Sequence, residues 1–361
     1  MKNSTTSHLA NKDDPPHAET PIQQKQYMLT GDLEGKLHQF EIGGIKVPDE
    51  AFRLVDQFQN ELAGKLRRFM PQVQIRFIRM TEMAERITTK ANDHEHGAEI
   101  ANALVVSTCS EIVQSAGGKV LEINRIIDGS PTNTDPIGYG PRPGFPSLRN
   151  QIAALVAGSD HRPIILIDDG SFTGGSLSYI IRELKSTGAR VRGVVVGFAF
   201  PIAAEAIRKA LGPEGFLVTT EETGDLLDWM PDHDFMPFMP NCGRVVGYSK
   251  GEEIYPCYTH DGFSRSTPYL LPFCPMADWT GISGSGDAEE LRWLSQYCFD
   301  QTGHLFELLE QANHRELCIN DLKWIRPAIS VPYRLGDSPF MGLSSVRIIE
   351  HLVKLKNQIW E

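Results

Sequence analysis

From residue 100 to 220 the hydrophobic positions fall into short solid runs separated by helical patterns. The runs are Ala103 to Val106, Lys119 to Ile127, Ile164 to Ile167, Ala189 to Phe198 and Gly215 to Thr220. Solid, β-branched runs suit strands buried on both faces of a parallel sheet. Between them, Ile112 to Ala116, Ser147 to Ala157, 175–187 and Pro201 to Leu211 carry helical patterning, with Ser147 placed to cap its helix. This alternation predicts a doubly wound, mainly parallel α/β core over 100–222. Upstream, Phe52, Val55, Phe58, Leu62, Leu66 and Phe69 keep helical spacing after Pro48-Asp49, and Pro71 ends that helix. Val73, Ile75 and Phe77 alternate with polar residues and predict a strand within 72–80, followed by a helix from Thr81 to Ala91. Residues 31–47 read as a small hairpin turning at Gly43-Gly44.

The two ends of the chain differ from this core. Residues 1–26 are rich in Ser, Thr, Asn, Asp, Pro and His, and are expected to form a flexible tail. Residues 27–99 form the N-terminal hairpin and helix segment, with a hood over the core as one role for 72–100. After Glu221 the pattern breaks. Residues 228–243 and 256–286 are dense in Pro, Met and aromatics and predict irregular segments packed on the core. Residues 287–299, 301–317 and 343–360 read as three amphipathic helices. Together these make 223–361 a mixed C-terminal extension.

Composition narrows the function classes. The chain has 361 residues, more than one compact domain usually needs. A net charge of −11 argues against an electrostatically driven nucleic-acid binder. The six cysteines, at 109, 242, 257, 274, 298 and 318, contain no CxxC pair, and the polar N-terminus shows no apolar leader. Reduced thiols in the cytoplasm are the expectation. With no run of about eighteen apolar residues, no transmembrane helix is predicted.

The chemistry concentrates at 164–176. Asp168 and Asp169 follow the apolar run, and Gly-Ser-Phe-Thr-Gly-Gly-Ser leads into a helix. Ligands of open α/β sheets bind at the carboxyl ends of strands, and free amides at helix N-termini favour anions. The double acid with Thr173, Gly174 and Ser176 resembles the 5-phosphoribosyl-1-pyrophosphate (PRPP) signature of the type I phosphoribosyltransferases. Gly170, Ser171 and Phe172 depart from that signature, which usually has apolar then small residues there. The resemblance implies that Asp168 and Asp169 hold the ribose hydroxyls. It implies that Ser171, Phe172, Thr173, Gly174, Gly175 and Ser176 wrap the 5′-phosphate. By the same resemblance, Ser107, Thr108, Cys109 and Ser110 form the pyrophosphate loop, without its usual glycine; a capped polar turn is the alternative reading of these four.

A Pro- and Gly-rich stretch from Asp128 to Pro146 stands where the family has a mobile lid, and it predicts no regular structure. Tyr139 and Arg142 are the lid candidates, with Arg142 counted among the catalytic residues. Lys119 and Arg125 flank the preceding strand; each reads as a pyrophosphate contact or, more simply, a surface cation. The implied reaction transfers the phosphoribosyl group to a nucleobase-like acceptor, with Mg²⁺ carried by the substrate rather than by a protein cage. Two other readings stand beside it. One is a catalytically silent PRPP or nucleotide sensor. The other is a partner-binding effector, as in bacterial defence, with a homo-oligomer or protein contact through 223–361. His94-Glu95-His96 and Asp232-His233-Asp234 have metal-ligand residue types, but a single turn rarely completes a site, so no protein metal centre is expected.

Overall fold

The computed structural model describes residues 25–112, 118–127, 136–142, 145–221, 224–240, 244–250, 253–256, 265–267, 288–322, 328–329 and 347–358. Residues 1–24 of the tail expected at 1–26 and most of 256–286 lie outside these residues, as do 128–135 of the lid stretch and residues 113–116 of the helix expected at Ile112 to Ala116; Gln26, placed in the tail by its sequence, begins a strand instead.

Along the chain the strands are β1 (Gln26–Gly31), β2 (Gln74–Arg79), β3 (Leu104–Ser107), β4 (Lys119–Val120), β5 (Ile123–Ile127), β6 (Gly138–Pro141), β7 (Ile164–Ser171), β8 (Val191–Ala199), β9 (Phe216–Thr219), β10 (Leu226–Pro231), β11 (Arg244–Lys250), β12 (Glu253–Pro256), β13 (Arg265–Thr267) and β14 (Ala328–Ile329). The helices are α1 (Leu33–Ile42), α2 (Asp49–Phe69), α3 (Met80–Asp93), α4 (Gly97–Ala101), α5 (Leu148–Ala157), α6 (Gly175–Ser186), α7 (Pro201–Leu211), α8 (Ala288–Asn313) and α9 (Ile348–Gln358).

The core sheet has the order β4-β3-β7-β8-β9, and all its strands run parallel. Strand residues alternate between two apolar layers. Ile164, Leu166, Val194 and Val196 pack with α5, α6 and α7. Ile165, Ile167 and Val195 face Met83, Ala84 and Ile87 of α3 on the other side. Both faces are therefore covered, as the solid apolar runs require, and the domain is doubly wound α/β. Ser147 caps α5, its hydroxyl accepting the Asn150 N–H.

Several readings change. Residues 33–42 form α1 rather than one arm of a hairpin, and Gly43-Gly44 ends that helix. The run from Lys119 to Ile127 breaks at Leu121. Its first piece joins the core sheet, whereas β5 pairs with β6 and β11 in a second, mixed sheet. Gly138 to Pro141, within the stretch expected to be irregular, is paired antiparallel to β5. The helices expected at 287–299 and 301–317 are one helix, because Gln301 to Gly303 continue its hydrogen bonding and Thr302 returns its hydroxyl to the Cys298 carbonyl.

The largest change concerns 226–235. Instead of an irregular segment, β10 lies parallel beside β1, giving a three-stranded sheet in the order β10-β1-β2. Asp232 follows β10 in a short 3₁₀ turn. Its Oδ1 accepts the N–H groups of Asp32 (3.0 Å) and Leu33 (3.2 Å), and its Oδ2 accepts from Gln59 (2.6 Å). A carboxyl two hundred residues away thus satisfies the first amides of α1. Phe40 and Phe58 pack on Phe306 and Tyr297 of α8, so the N-terminal segment and part of the extension share one apolar core. The boundary at 223 separates in sequence what the sheet joins in space.

Lys36 connects this unit to the core. Its side chain is 6% exposed, with Nζ 3.7 Å from Asp32 and 3.4 Å from Glu111, beside the turn after β3. Burial raises the Glu111 carboxyl, but the Lys36 charge together with hydrogen bonds from the backbone and Ser110 outweighs this and leaves it at about 2. A carboxyl lowered by folding stabilises the protein above its unfolded value and loses that contribution as pH falls through its folded value. Lys36→Met leaves the buried Glu111 carboxylate without its cation, while Asp32 keeps His233, and is expected to cost about 3–5 kcal/mol at pH 7. The deficit should shrink between about pH 4.5 and pH 2 as Glu111 protonates. Urea unfolding at pH 7 and pH 3 checks both parts.

Candidate active site

The site begins where β7 leaves the core sheet. The strand runs on through Asp168 and Asp169 to Ser171, so the two acids lie inside its last turn-free segment rather than in the loop. Both are half-buried. The Asp169 N–H donates to Asp168 Oδ1 (3.1 Å), and the Gly170 N–H donates to Asp169 Oδ1 (2.8 Å). Burial first, and the neighbouring Asp169 charge second, push the Asp168 carboxyl well above the ordinary aspartate range, against a hydrogen bond from Thr108. Burial also raises Asp169, with the Asp32 and Glu111 charges adding to it against hydrogen bonds from Asp168 and the Gly170 amide. Two adjacent carboxyls in a closed setting cannot both ionise freely.

Only Phe172, Thr173 and Gly174 separate β7 from α6. Gly174 takes φ 76°, and a Cβ there would stand 2.8 Å from the Ala203 carbonyl oxygen. Glycine alone suits that position. The backbone then enters α6 at Gly175, whose first amides have no partners within the helix. Thr173 is exposed, and its Oγ1 lies 3.4 Å from the Gly175 nitrogen. The departures at 170–172 have a packing cause. The Phe198 ring lies against Gly170, where any side chain would collide with it. Phe198 also stacks on Trp229 (3.9 Å), and Phe172 packs on both Phe198 and Phe200. The loop is thereby tied to β10 of the neighbouring sheet. Ser171 is buried beneath it.

The turn after β3 reaches the same edge. Thr108 is bonded through its side chain to Asp168. The Ser107 hydroxyl is engaged with Cys109, donating to its carbonyl (2.9 Å) and accepting its N–H (3.0 Å). Ser110 and Cys109 both donate to Glu111 Oε2, at 2.9 and 3.3 Å. Burial, then Glu111, Asp169 and Asp168, push the Cys109 thiol well up, so it is held as a thiol. Of the four candidate pyrophosphate-loop residues, only Thr108 is bonded to the aspartate pair.

Tyr139 of β6 meets α6 directly. Its hydroxyl lies where a Gly175 side chain would begin and is bonded to the Ser176 side chain. Its ring stacks on Tyr179 at 4.9 Å. Arg142 is at the end of the same strand, with Nε 3.3 Å from Glu122 Oε2. Arg125 is paired across the ladder with Tyr139, and Lys119 is exposed on β4. Asp232 and His233 hold the start of α1: besides the Asp232 contacts above, His233 Nδ1 is 2.6 Å from Asp32 Oδ2, and its Nε2 is 3.2 Å from Asp234 Oδ1. Sequence reasoning missed Lys36 and Asp32 as neighbours of this edge. Their four-residue spacing marks one helix face, but nothing local says that the face is buried.

No known family model matches the chain, and no curated protein does. Among solved structures, an adenine phosphoribosyltransferase aligns with 39% of this chain and 79% of its own, at 14% identity and a TM-score of 0.26. No described helix is long and apolar enough to cross a membrane.

A carboxyl raised by folding destabilises above its folded value, and the penalty vanishes below its unfolded one. Asp168→Asn, which removes that charge with little change of shape, should therefore melt higher than wild type at pH 8. The gain, about 1 kcal/mol, is of the size seen when functional strain is relieved. It should close as pH falls toward 4; calorimetric melts across that range check the sign.

Proposed function

We propose that this edge of the core sheet binds PRPP and transfers its phosphoribosyl group to a nucleobase-like acceptor, releasing pyrophosphate. The observation that carries the reading is the juxtaposition of an aspartate pair near the carboxyl end of β7 with the N-terminus of α6, with only three residues between strand and helix. Asp168 and Asp169 would take the ribose hydroxyls as acceptors. Thr173, Gly174, Gly175 and Ser176 would give the 5′-phosphate a hydroxyl and helix-end amides. In the transfer, the C1–oxygen bond to pyrophosphate breaks, the electron pair leaves with the pyrophosphate, a ring nitrogen of the acceptor forms the new bond to C1, and the proton that this nitrogen loses goes to the departing pyrophosphate or to water. The protein's share is positioning and exclusion of water, since water would otherwise take the activated sugar.

The charges around the turn after β3 fit a substrate that arrives with a cation. Asp168, Asp169 and Glu111 surround Cys109, and the Lys36 charge is shared with Asp32 and Glu111. A bare diphosphate would meet mostly carboxylates there. Mg²⁺ on the diphosphate would supply the missing positive charge, coordinated by substrate and water oxygens rather than a full protein set. Tyr139, whose hydroxyl lies at the start of α6, and Arg142, just after the end of β6, would cover the bound sugar.

A second reading, a PRPP or nucleotide sensor without transfer, is favoured by the internally bonded hydroxyls of Ser107 and Ser110. One assay separates the two. With Mg²⁺ and PRPP, a panel of purine and pyrimidine bases should release pyrophosphate with at least one member; tight PRPP binding without release for every base selects the sensor. Asp168→Asn combined with Asp169→Asn should weaken PRPP binding by calorimetry at least about a hundredfold, the loss of two charge-assisted contacts. Unchanged affinity in that variant would remove both readings.

A further inference from the structure

On the opposite edge of the core sheet, away from the aspartate pair, a second group of side chains is brought together. His94 follows the last residue of α3, and His96 precedes the first residue of α4. Their neighbours are residues at the starts of strands: Arg192 is the second residue of β8, and Phe216 is the first of β9. Asp168 and Asp169 lie toward the other end of β7. What happens at His94–His96 is therefore separate from the chemistry proposed above.

One imidazole nitrogen each from His94 and His96 and one carboxylate oxygen of Glu95 all lie within 4.8 Å of one another. The rings are held. His96 stacks face to face on Phe216, with centroids 4.2 Å apart and planes at 10°. His94 stacks on His96 at 5.4 Å. The two nitrogens of His96 have different neighbours: Nδ1 is 3.7 Å from Glu99 Oε2, and Nε2 is 3.8 Å from Glu95 Oε1. Glu99 is itself fixed, accepting from Arg192 Nε at 2.6 Å. Glu99 stands at ion-pair distance from Nδ1, which leaves Nε2 on the Glu95 side; a carboxylate that closes in to accept from one ring nitrogen sets the tautomer of a metal-bound histidine. Zinc–nitrogen and zinc–oxygen bonds of about 2.0–2.2 Å place two ligands of a tetrahedral ion about 3.3–3.5 Å apart. Glu95 and His96 need to approach by only a few tenths of an ångström to meet that spacing. Both histidines are half-buried and Glu95 is exposed, so an ion would have an entry path and an open position for water.

We propose that His94, Glu95 and His96 form a zinc site that clamps the turn between α3 and α4 onto the start of β9. Two imidazoles and one carboxylate are donors that suit zinc and its neighbours in the transition series, not magnesium or calcium. Glu99 is the positioning residue, acting through His96. The site stabilises the fold and takes no part in the transfer reaction.

The test uses the full chain and zinc chloride. Calorimetry should show one equivalent bound and a rise in melting temperature with zinc. His94→Asn with His96→Asn should abolish that equivalent. Glu95→Gln, at an exposed position that leaves the fold undisturbed, should weaken it at least about tenfold, and Glu99→Gln by a similar factor. Cobalt(II) substitution should give visible bands of a tetrahedral nitrogen–oxygen site without the near-ultraviolet band of a thiolate ligand. His8→Asn with His17→Asn should leave affinity unchanged. The proposal is overturned by no uptake at submillimolar zinc, by wild-type affinity in the His94/His96 variant, by a thiolate band, or by loss of binding in the His8/His17 variant.

Discussion

Two parallel sheets meet at their carboxyl edges in this protein, and a single lysine makes that meeting tolerable. The loop after β1 brings Asp32 to the junction, and the turn after β3 brings Glu111. Burying carboxylates without a cation is costly, and Lys36 lies between them. The His233 ring adds a second basic group on the Asp32 side. Because Lys36 holds Glu111 ionised, Glu111 can accept from Cys109 and Ser110 and so shape the turn beside the aspartate pair. The candidate active site thus inherits its form from an ion cluster belonging partly to the other sheet.

Burial is the first cause that raises the carboxyls of the aspartate pair, and the same junction adds to it. Asp32 and Glu111 both act on Asp169, and Asp169 acts on Asp168. A fold selected only for stability would neutralise such a set. Perturbed carboxyls at the carboxyl end of a parallel strand, next to a helix start, are the pattern that marks a ligand site. The aromatic group of Phe172, Phe198, Phe200 and Trp229 works in the other direction, holding the loop rigid from below. It accounts for Gly170 and Phe172, the two positions where the loop departs most visibly from its family resemblance.

Much of this was legible in the sequence, for a physical reason. Strands buried on both faces must be solidly apolar, so β3, β7, β8 and β9 announced themselves, and so did the glycine turn into α6. The failures share a cause too. Strand β10, Leu-Leu-Asp-Trp-Met-Pro, owes its state to β1 two hundred residues earlier, and no local pattern reports a partner at that distance. Strand β6 contains two glycines and a proline, poor strand formers, and is held by its ladder to β5. Helix α1 carries Gly35 in its first turn, with Gly31 before it and Gly43-Gly44 after it, which resemble turn punctuation; its amides are capped by Asp232, invisible to a window of ten residues. At the candidate site, the residues on β7 and α6 were readable, whereas the cations and acids delivered by α1 were not.

The strand order β10-β1-β2 has one more consequence, for the order of events as the chain is made. Residues 80–221, the whole doubly wound core, lie between the second and third strands of the N-terminal sheet. When β1 and β2 leave the ribosome, one long edge of β1 has no neighbour, and it stays so until β10 is synthesised. The strands of the core sheet are all in hand by residue 219, but Trp229, which stacks on Phe198, arrives only with β10. Until β10 is made, that open apolar edge of β1 is where a chaperone or a stray β-strand would find the chain.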